Sequence, residues 1–304
     1  MAARFWRLLL VFELSAGAAL AALAWTVLPV SCAAALATAL VLALFLPGAL
    51  VAASFLFASL CMRRKLTIAD AGYLLRALLT EAVYFNLAVL AMIAPHGTLQ
   101  RPMDSVRADA RARPLLLIHG ITCNRRIWRS WLPRLAAAGF GPIRATDLEP
   151  VFADIEIHAA RVERELRALQ QQSNGAPVAI VAHSMGGLVA RAALRRVGPG
   201  VISQIITIAT PHHGTQPARW FHWLPLQQMY PGSAWLRALN AAQEEGSATA
   251  LTSIYSLEDN LIVPARSAVL KHARLFELRG FGHLGLLTST DVIECVLTAL
   301  ADTL

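Results

Sequence analysis

Ser184 lies where a nucleophilic serine would be expected. The motif Ala182-His183-Ser184-Met185-Gly186-Gly187 follows the apolar run 177–181 and precedes a helical pattern that begins at Leu188. A strand, a tight turn and a helix in this order lift one hydroxyl above the strand ends, provided that small residues flank it. Ala182 and Gly186 meet that condition. Ser184 is therefore the first candidate for chemistry, and the alternative is a serine that merely caps the helix.

A serine hydroxyl becomes a strong nucleophile only when a base takes its proton and a carboxylate orients that base. For a serine at such a turn, both partners are expected on loops that follow later strands. The predicted strand 251–256 leads into Glu258 and Asp259, and the predicted strand 274–279 leads into His283. Asp259 and His283 are the candidate acid and base. Glu258 is the alternative candidate for the acid.

The reaction also needs two backbone N–H groups directed at the developing oxyanion. One candidate is Met185, which directly follows the serine. The other is Ile121, on the loop after the predicted strand 114–118, where Gly120 allows the chain to turn. Taken alone, this loop could equally be a strand that ends in an ordinary glycine turn.

Together these segments give the chain from residue 114 to 304 a family resemblance. Five stretches occur in the order found in lipases: 117–121, 182–187, 210–215, 253–259 and 282–287. The region resembles the α/β-hydrolase superfamily, and within it bacterial triacylglycerol lipases and esterases. The resemblance implies Ser184, Asp259 and His283 as a catalytic triad and Ile121 with Met185 as the oxyanion hole. Because no convincing pair of carboxylates matches the calcium site of some lipases, no metal is expected.

The remaining pattern fits an α/β fold with a mostly parallel, doubly wound sheet. Apolar residues recur with helical spacing in two segments, from Ile127 to Ala138 and from Ile155 to Leu169. Strands are predicted between such segments, at 114–119, 142–147, 177–182, 202–209, 251–256 and 274–279. This alternation puts the site at the carboxyl ends of the strands.

An aromatic-rich interval at about 214–250 interrupts the alternation. It contains Trp220 and Trp223 among five aromatic residues. We interpret it as a cap or lid that lines an acyl pocket, with a helical insertion that packs its aromatics as core as the alternative. His213, after the predicted strand 202–209, could also line the site. Substrate-binding candidates are therefore His213, Trp220 and Trp223.

The first hundred residues are far more apolar than the rest. The whole chain is 56% hydrophobic and 15% charged, with a mean hydropathy of +0.52. The segments 8–30 and 32–62 are each long enough to cross the roughly 30 Å hydrocarbon layer as a helix. The sequence therefore predicts a membrane region at 1–96 with two transmembrane helices, a linker at 97–113, and the hydrolase domain at 114–304.

Two points about the membrane region have alternatives. Arg4 and Arg7 before an apolar stretch also suit a signal peptide, but the apolar run continues long after any plausible cleavage point. The third apolar segment, 84–94, is short, and Glu81 and Asn86 lie in or beside it. It is interpreted as an interfacial or docking helix.

Basic residues predict the orientation of the hairpin. They precede the first span and follow the second, at residues 63–65, so both ends of the hairpin would face the cytoplasm of a bacterial inner membrane. The hydrolase domain is then cytoplasmic. If the segment 84–94 crosses, the domain is periplasmic.

The formal net charge is +8. No helix-turn-helix, zinc or aromatic-basic motif accompanies it, so nucleic acid is not an expected partner. The cluster of arginines from 101 to 126 favours an anionic membrane surface instead. Neither the motifs nor the resemblance implies a cofactor.

The sequence leaves three functional classes open. The favoured one is a membrane-anchored serine hydrolase that cleaves lipid esters through an acyl-enzyme. An acyltransferase or thioesterase would use the same residues with a different acceptor or substrate. The third class is a catalytically silent hydrolase-fold module that interacts with the membrane.

Overall fold

A six-stranded, wholly parallel sheet organises the carboxyl-terminal part of the chain in a computed structural model, which describes residues 2–27, 31–62, 67–93, 113–198, 200–244 and 249–301. The described strands lie in the order β2-β1-β3-β4-β5-β6. Their bounds are β1 Leu115–Ile118, β2 Ile143–Ala145, β3 Val178–His183, β4 Ile202–Ile208, β5 Ala250–Ser256 and β6 Arg274–Leu278. All six predicted strands are confirmed, with bounds that differ by one or two residues.

Helices cover both faces of this sheet, as a doubly wound arrangement requires. The central strands are buried on both sides, so they read as continuous apolar runs rather than alternating ones. One apolar cluster joins the sheet to α5 and α6, and a second joins its other face to α4 and α9. These helices are α4 Leu132–Ala137, α5 Ile155–Gln172, α6 Met185–Val197 and α9 Thr290–Ala301.

Parallel pairing brings the candidate residues to one edge. The loops after β1, β3, β5 and β6 carry Ile121, Ser184, Asp259 and His283 respectively. Since the strands run in the same direction, all four loops emerge at the carboxyl edge of the sheet.

The described residues between β4 and β5 contain three helices. They are a 3₁₀ helix at Gln216–Trp220, α7 at Leu224–Gln228 and α8 at Ala234–Glu244. We call residues 214–244 the cap segment. Leu236 and Leu239 of α8 join the apolar core, so part of the segment packs as core, while Trp220 and Trp223 remain 65% and 46% exposed.

The described residues before the sheet form three helices: α1 Ala2–Val27, α2 Cys32–Met62 and α3 Ile68–Ile93. They pack against one another, and α3 also packs against the 3₁₀ helices Arg125–Trp128 and Gly285–Thr288. The third apolar segment is thus part of a helix of 26 residues, longer than the sequence pattern suggested. It docks on these segments of the sheet domain, and its expected place at the membrane interface stays a prediction. The predicted linker 97–113 lies outside the described residues except for Arg113.

Among the helical residues whose side chains the structure describes, one helix, α3, is long and apolar enough to cross a membrane. The predicted spans 8–30 and 32–62 contain residues outside that part of the chain and stay predictions. Buried core helices of soluble proteins and signal sequences have the same length and composition. A shorter apolar helical stretch occurs at Gly48–Met62.

Candidate active site

Ser184 lies in a strained turn between β3 and α6. Its φ of 56° and ψ of −129° are unusual for a residue with a side chain. The glycines after it let helix and sheet meet: a Cβ at Gly186 would lie 2.5 Å from the carbonyl oxygen of His119, and one at Gly187 would collide with Thr210. The expected need for small residues at this turn is confirmed.

The imidazole of His283 bridges Ser184 and Asp259. Its Nε2 lies 3.0 Å from Ser184 Oγ, and its Nδ1 lies 3.0 Å from Asp259 Oδ2 and 3.1 Å from Oδ1. All three side chains are buried. This is the arrangement in which a carboxylate fixes the histidine tautomer so that Nε2 can accept the serine proton.

The structure distinguishes between the two acidic residues after β5. Asp259 faces His283, and its Oδ1 also accepts the N–H groups of Leu261 and Ile262 at 2.8 and 2.9 Å. Glu258 instead accepts hydrogen bonds from the Arg279 side chain at 2.8 Å and the Gly280 N–H at 2.7 Å. Asp259 is therefore the carboxylate in contact with the imidazole.

Charged neighbours determine how readily His283 takes up a proton. Burial lowers its pKa, but the Asp259 charge and hydrogen bond, together with the charge of Glu81, outweigh burial and raise the pKa above its ordinary value. The ring of His183 lies 4.7 Å away, and burial holds its pKa well below the usual range, so this neighbour stays neutral. The site thus favours a proton on His283 during a transfer.

The two predicted oxyanion-hole residues, Ile121 and Met185, belong to segments that meet at the serine. Met185 is the first residue of α6, where helix N–H groups have no partner within the helix. Ile121 follows Gly120, at which a Cβ would come within 2.8 Å of Ser184 Cβ. A glycine is thus needed for this loop to approach the serine. The next residue, Thr122, has a φ of 58°.

Helices α1 and α2 contact the same loops, which the sequence did not predict. Trp6 Nε1 of α1 donates to the carbonyl oxygen of Thr122 at 2.7 Å. On α2, Ser54 Oγ accepts from Asn260 Nδ2 at 2.7 Å, and Asn260 Oδ1 accepts the His283 N–H at 2.9 Å. The available signal was the presence of polar residues inside strongly apolar helices, because such residues usually have a specific partner.

A mainly apolar cavity of about 480 Å³ opens above Ser184. Three regions form its wall: the strand-end loops, the N-terminal helices and the cap segment. The lining side chains from the helices are Trp6, Leu50, Val51, Ser54, Glu81, Phe85, Val89 and Met92, and those from the cap segment include Pro217, Ala218, Phe221, Trp223, Leu226 and Met229.

The three predicted substrate-binding residues are separated by the fold. Trp223 lines the cavity and stacks on Phe152, with ring centroids 4.3 Å apart. Trp220 is outside the lining and packs against Phe57 of α2. His213 is exposed and directs Nε2 to the carbonyl oxygen of Val269 at 3.0 Å, so its side chain does not line the cavity.

Comparisons with known proteins give related but distant matches. The model of a PGAP1-like alpha/beta domain matches residues 161–274, a stretch that contains Ser184 and Asp259. A search of curated proteins finds no match.

Solved structures match a larger part of the chain. Bacillus licheniformis lipase BlEst2 in mature form is 17% identical, with a TM-score of 0.55 over 63% of this chain and 93% of the lipase. Aspergillus fumigatus lipase B is 18% identical, with a TM-score of 0.56 over 68% of this chain and 59% of the lipase. Phospholipase PlaB from Legionella pneumophila is 12% identical, with a TM-score of 0.54 and 63% and 61% coverage. The chain spans less than two thirds of the last two proteins. It has the α/β-hydrolase fold, with structural similarity to bacterial and fungal lipases.

Proposed function

We propose that this protein is a membrane-bound serine hydrolase that cleaves carboxylic esters of lipids. The observation that carries the proposal is the hydrogen-bonded series Ser184–His283–Asp259 at the base of an apolar cavity. A serine that only capped a helix would need neither the histidine nor the buried carboxylate behind it.

The geometry supports a two-step reaction. His283 Nε2 takes the proton of Ser184 Oγ as the oxygen attacks the ester carbonyl, and the N–H groups of Ile121 and Met185 stabilise the resulting oxyanion. The intermediate collapses when His283 passes that proton to the leaving alcohol, which leaves an acyl-serine. Water then attacks the acyl-serine, His283 takes its proton, and the acid is released as Ser184 regains a proton.

The cavity supports a substrate with a long apolar chain. Its wall is mostly aliphatic and aromatic, and an acyl chain placed there would lose its contact with water. The similar structures are named as lipases and a phospholipase, which fits the same substrate class. The acyl chain would lie between the cap segment and α3.

The outer surface of the N-terminal helices supports a membrane location. Large apolar side chains are exposed on all three, and soluble proteins rarely expose such a continuous surface. They are Leu8, Val11, Phe12, Leu23, Trp25 and Val27 on α1, Leu50, Leu56 and Leu60 on α2, and Leu75, Leu79, Val83, Leu87 and Leu90 on α3. We propose that lipid covers this surface, with α1 and α2 as the anchoring hairpin in a bacterial inner membrane and the hydrolase domain on the cytoplasmic side.

The roles of the triad can be tested with a fluorophosphonate probe and p-nitrophenyl esters. Ser184→Ala should abolish labelling. Asp259→Asn should lower turnover on the order of 10⁴-fold, because His283 loses the group that orients it. Glu258→Gln is the matched control and should have a far smaller effect, since Glu258 bonds Arg279 and Gly280 instead. Labelling of Ser184→Ala equal to that of the wild type would exclude Ser184 as the nucleophile, and a wild type that is not labelled would favour the catalytically silent module.

Two tryptophans of the cap segment allow a matched test of the acyl pocket. Trp223→Ala should lower kcat/KM for long-chain esters about tenfold more than for acetates, because only a long chain reaches that wall. Trp220→Ala, at a position just outside the cavity lining, should change kcat/KM for both substrates by the same factor. Equal losses on both substrates for Trp223→Ala would contradict the acyl-pocket assignment.

Membrane anchoring can be tested by extraction of the full-length chain. High salt and alkaline carbonate should leave it in the membrane pellet, because burial of apolar surface is not screened by ions. Release of the intact chain by carbonate would contradict the hairpin. Recovery of a mature chain that begins near residue 32 would instead identify the first segment as a signal peptide.

A further inference from the structure

A carboxylate from the N-terminal helices contacts the loop that carries the candidate base. Glu81 lies in the middle of α3 and is 2% exposed. Its Oε1 accepts the N–H of Leu284 at 2.9 Å, and its Oε2 accepts the N–H of Gly285 at 2.7 Å. These amides directly follow His283, so both carboxylate oxygens hold the backbone next to the catalytic imidazole.

The glycines of this loop match the close approach of Glu81. A Cβ at Gly282 would lie 2.6 Å from Glu81 Oε2, and one at Gly285 would lie 3.3 Å from the same oxygen. Larger residues at position 282 would push the carboxylate away from the two N–H groups. The loop therefore has the small residues that this contact requires on both sides of His283.

Three further contacts fix α3 against the residues that precede the base. Arg279 forms an ion pair with Asp70 and also lies over the ring of Tyr73, 4.4 Å from its centroid. Arg76 lies over the ring of Phe281, 4.7 Å from its centroid. Because these contacts come from successive turns of one helix, Glu81 is held at a fixed position relative to the loop.

The charge of Glu81 also affects the protonation of His283. The titratable groups that face the imidazole are Asp259 from the loop after β5, Glu81 from α3 and His183 from the end of β3. Burial raises the pKa of the Glu81 carboxyl to about 7, so this group carries its negative charge near and above neutral pH. In that form Glu81 and Asp259 both favour the imidazolium, while the buried His183 stays neutral. A negative charge from α3 would thus stabilise the protonated base that forms in each step of the reaction.

We propose that Glu81 is a positioning residue for His283, through which the N-terminal helices become part of the active site. The inference rests on the proposed hydrolase function. It implies that the hydrolase domain reaches full activity only with α3 in place, since an error of about 1 Å in a catalytic group can cost on the order of 100-fold in rate.

The test compares Glu81→Gln with the wild type in the full-length protein purified in detergent. The amide keeps the size of the side chain but turns an NH₂ group toward a backbone N–H, so at least one hydrogen bond is lost. The expected result is a fall in kcat/KM on the order of 100-fold. Removal of the negative charge should also move the acidic limb of the pH profile to lower pH, because the imidazolium is then less stable.

Two variants serve as comparisons. Glu163→Gln changes a surface glutamate that pairs with Arg167 and Arg196, and it should leave kcat/KM and the pH profile unchanged. Glu81→Asp keeps the charge but shortens the side chain by one methylene. It should restore the wild-type acidic limb while kcat/KM stays reduced, and it can be measured even if Glu81→Gln does not fold.

Failure of the proposed function and failure of the positioning role would give different results. If the wild type is not labelled by the fluorophosphonate probe, the hydrolase function itself fails. If the wild type is labelled and Glu81→Gln retains its kcat/KM, the positioning role is overturned. A lower kcat/KM with a lower Tm and an unmoved acidic limb would also overturn it, because Glu81 would then serve stability alone.

Discussion

The candidate active site depends on one geometric constraint: the ring of His283 has to lie 3.0 Å from a hydroxyl on one side and 3.0 Å from a carboxylate on the other. Ser184, Asp259 and His283 come from three loops, and each loop follows a different parallel strand. The shared carboxyl edge of the sheet brings these loops together, and the strained turn at Ser184 raises the hydroxyl into reach. The parallel sheet and the loops at its carboxyl edge maintain these two distances.

The N-terminal helices also hold the loops of the site in place through hydrogen bonds. Glu81 of α3 holds the loop after His283, and Ser54 of α2 holds Asn260, which in turn bonds the backbone of His283. Trp6 of α1 bonds the loop that contains Ile121. Helices that expose apolar side chains to their surroundings thus also bound the cavity above Ser184. A lipid ester would enter a site whose wall is continuous with the surface that we propose to be covered by lipid.

The strands, the serine turn and the order of Ser184, Asp259 and His283 were predictable, because they follow from local apolar patterns and from small residues beside a turn. Which of Glu258 and Asp259 contacts the base was not predictable, because adjacent residues on one turn can each face it. The structure distinguishes them because Glu258 bonds Arg279 and Gly280 instead.

The docking of α3 was expected only in outline. An apolar helix has the same composition whether lipid or protein covers it, and the specific signals were a single buried carboxylate, Glu81, and the glycines at 282 and 285 across from it. His213 was chosen for its place after a strand, which does not determine where its side chain points.

We propose that Ser184 performs the chemistry in a cavity shared by the hydrolase domain and the N-terminal helices. This can be tested with a crystal structure of the full-length protein after reaction with a long-chain alkyl phosphonate, whose phosphorus mimics the tetrahedral intermediate. We expect phosphorus bonded to Ser184 Oγ, a phosphoryl oxygen within about 3 Å of the Ile121 and Met185 nitrogens, and an alkyl chain in contact with Phe85 and Trp223. An adduct on another residue, or an alkyl chain that leaves the cavity without touching α3, would contradict it.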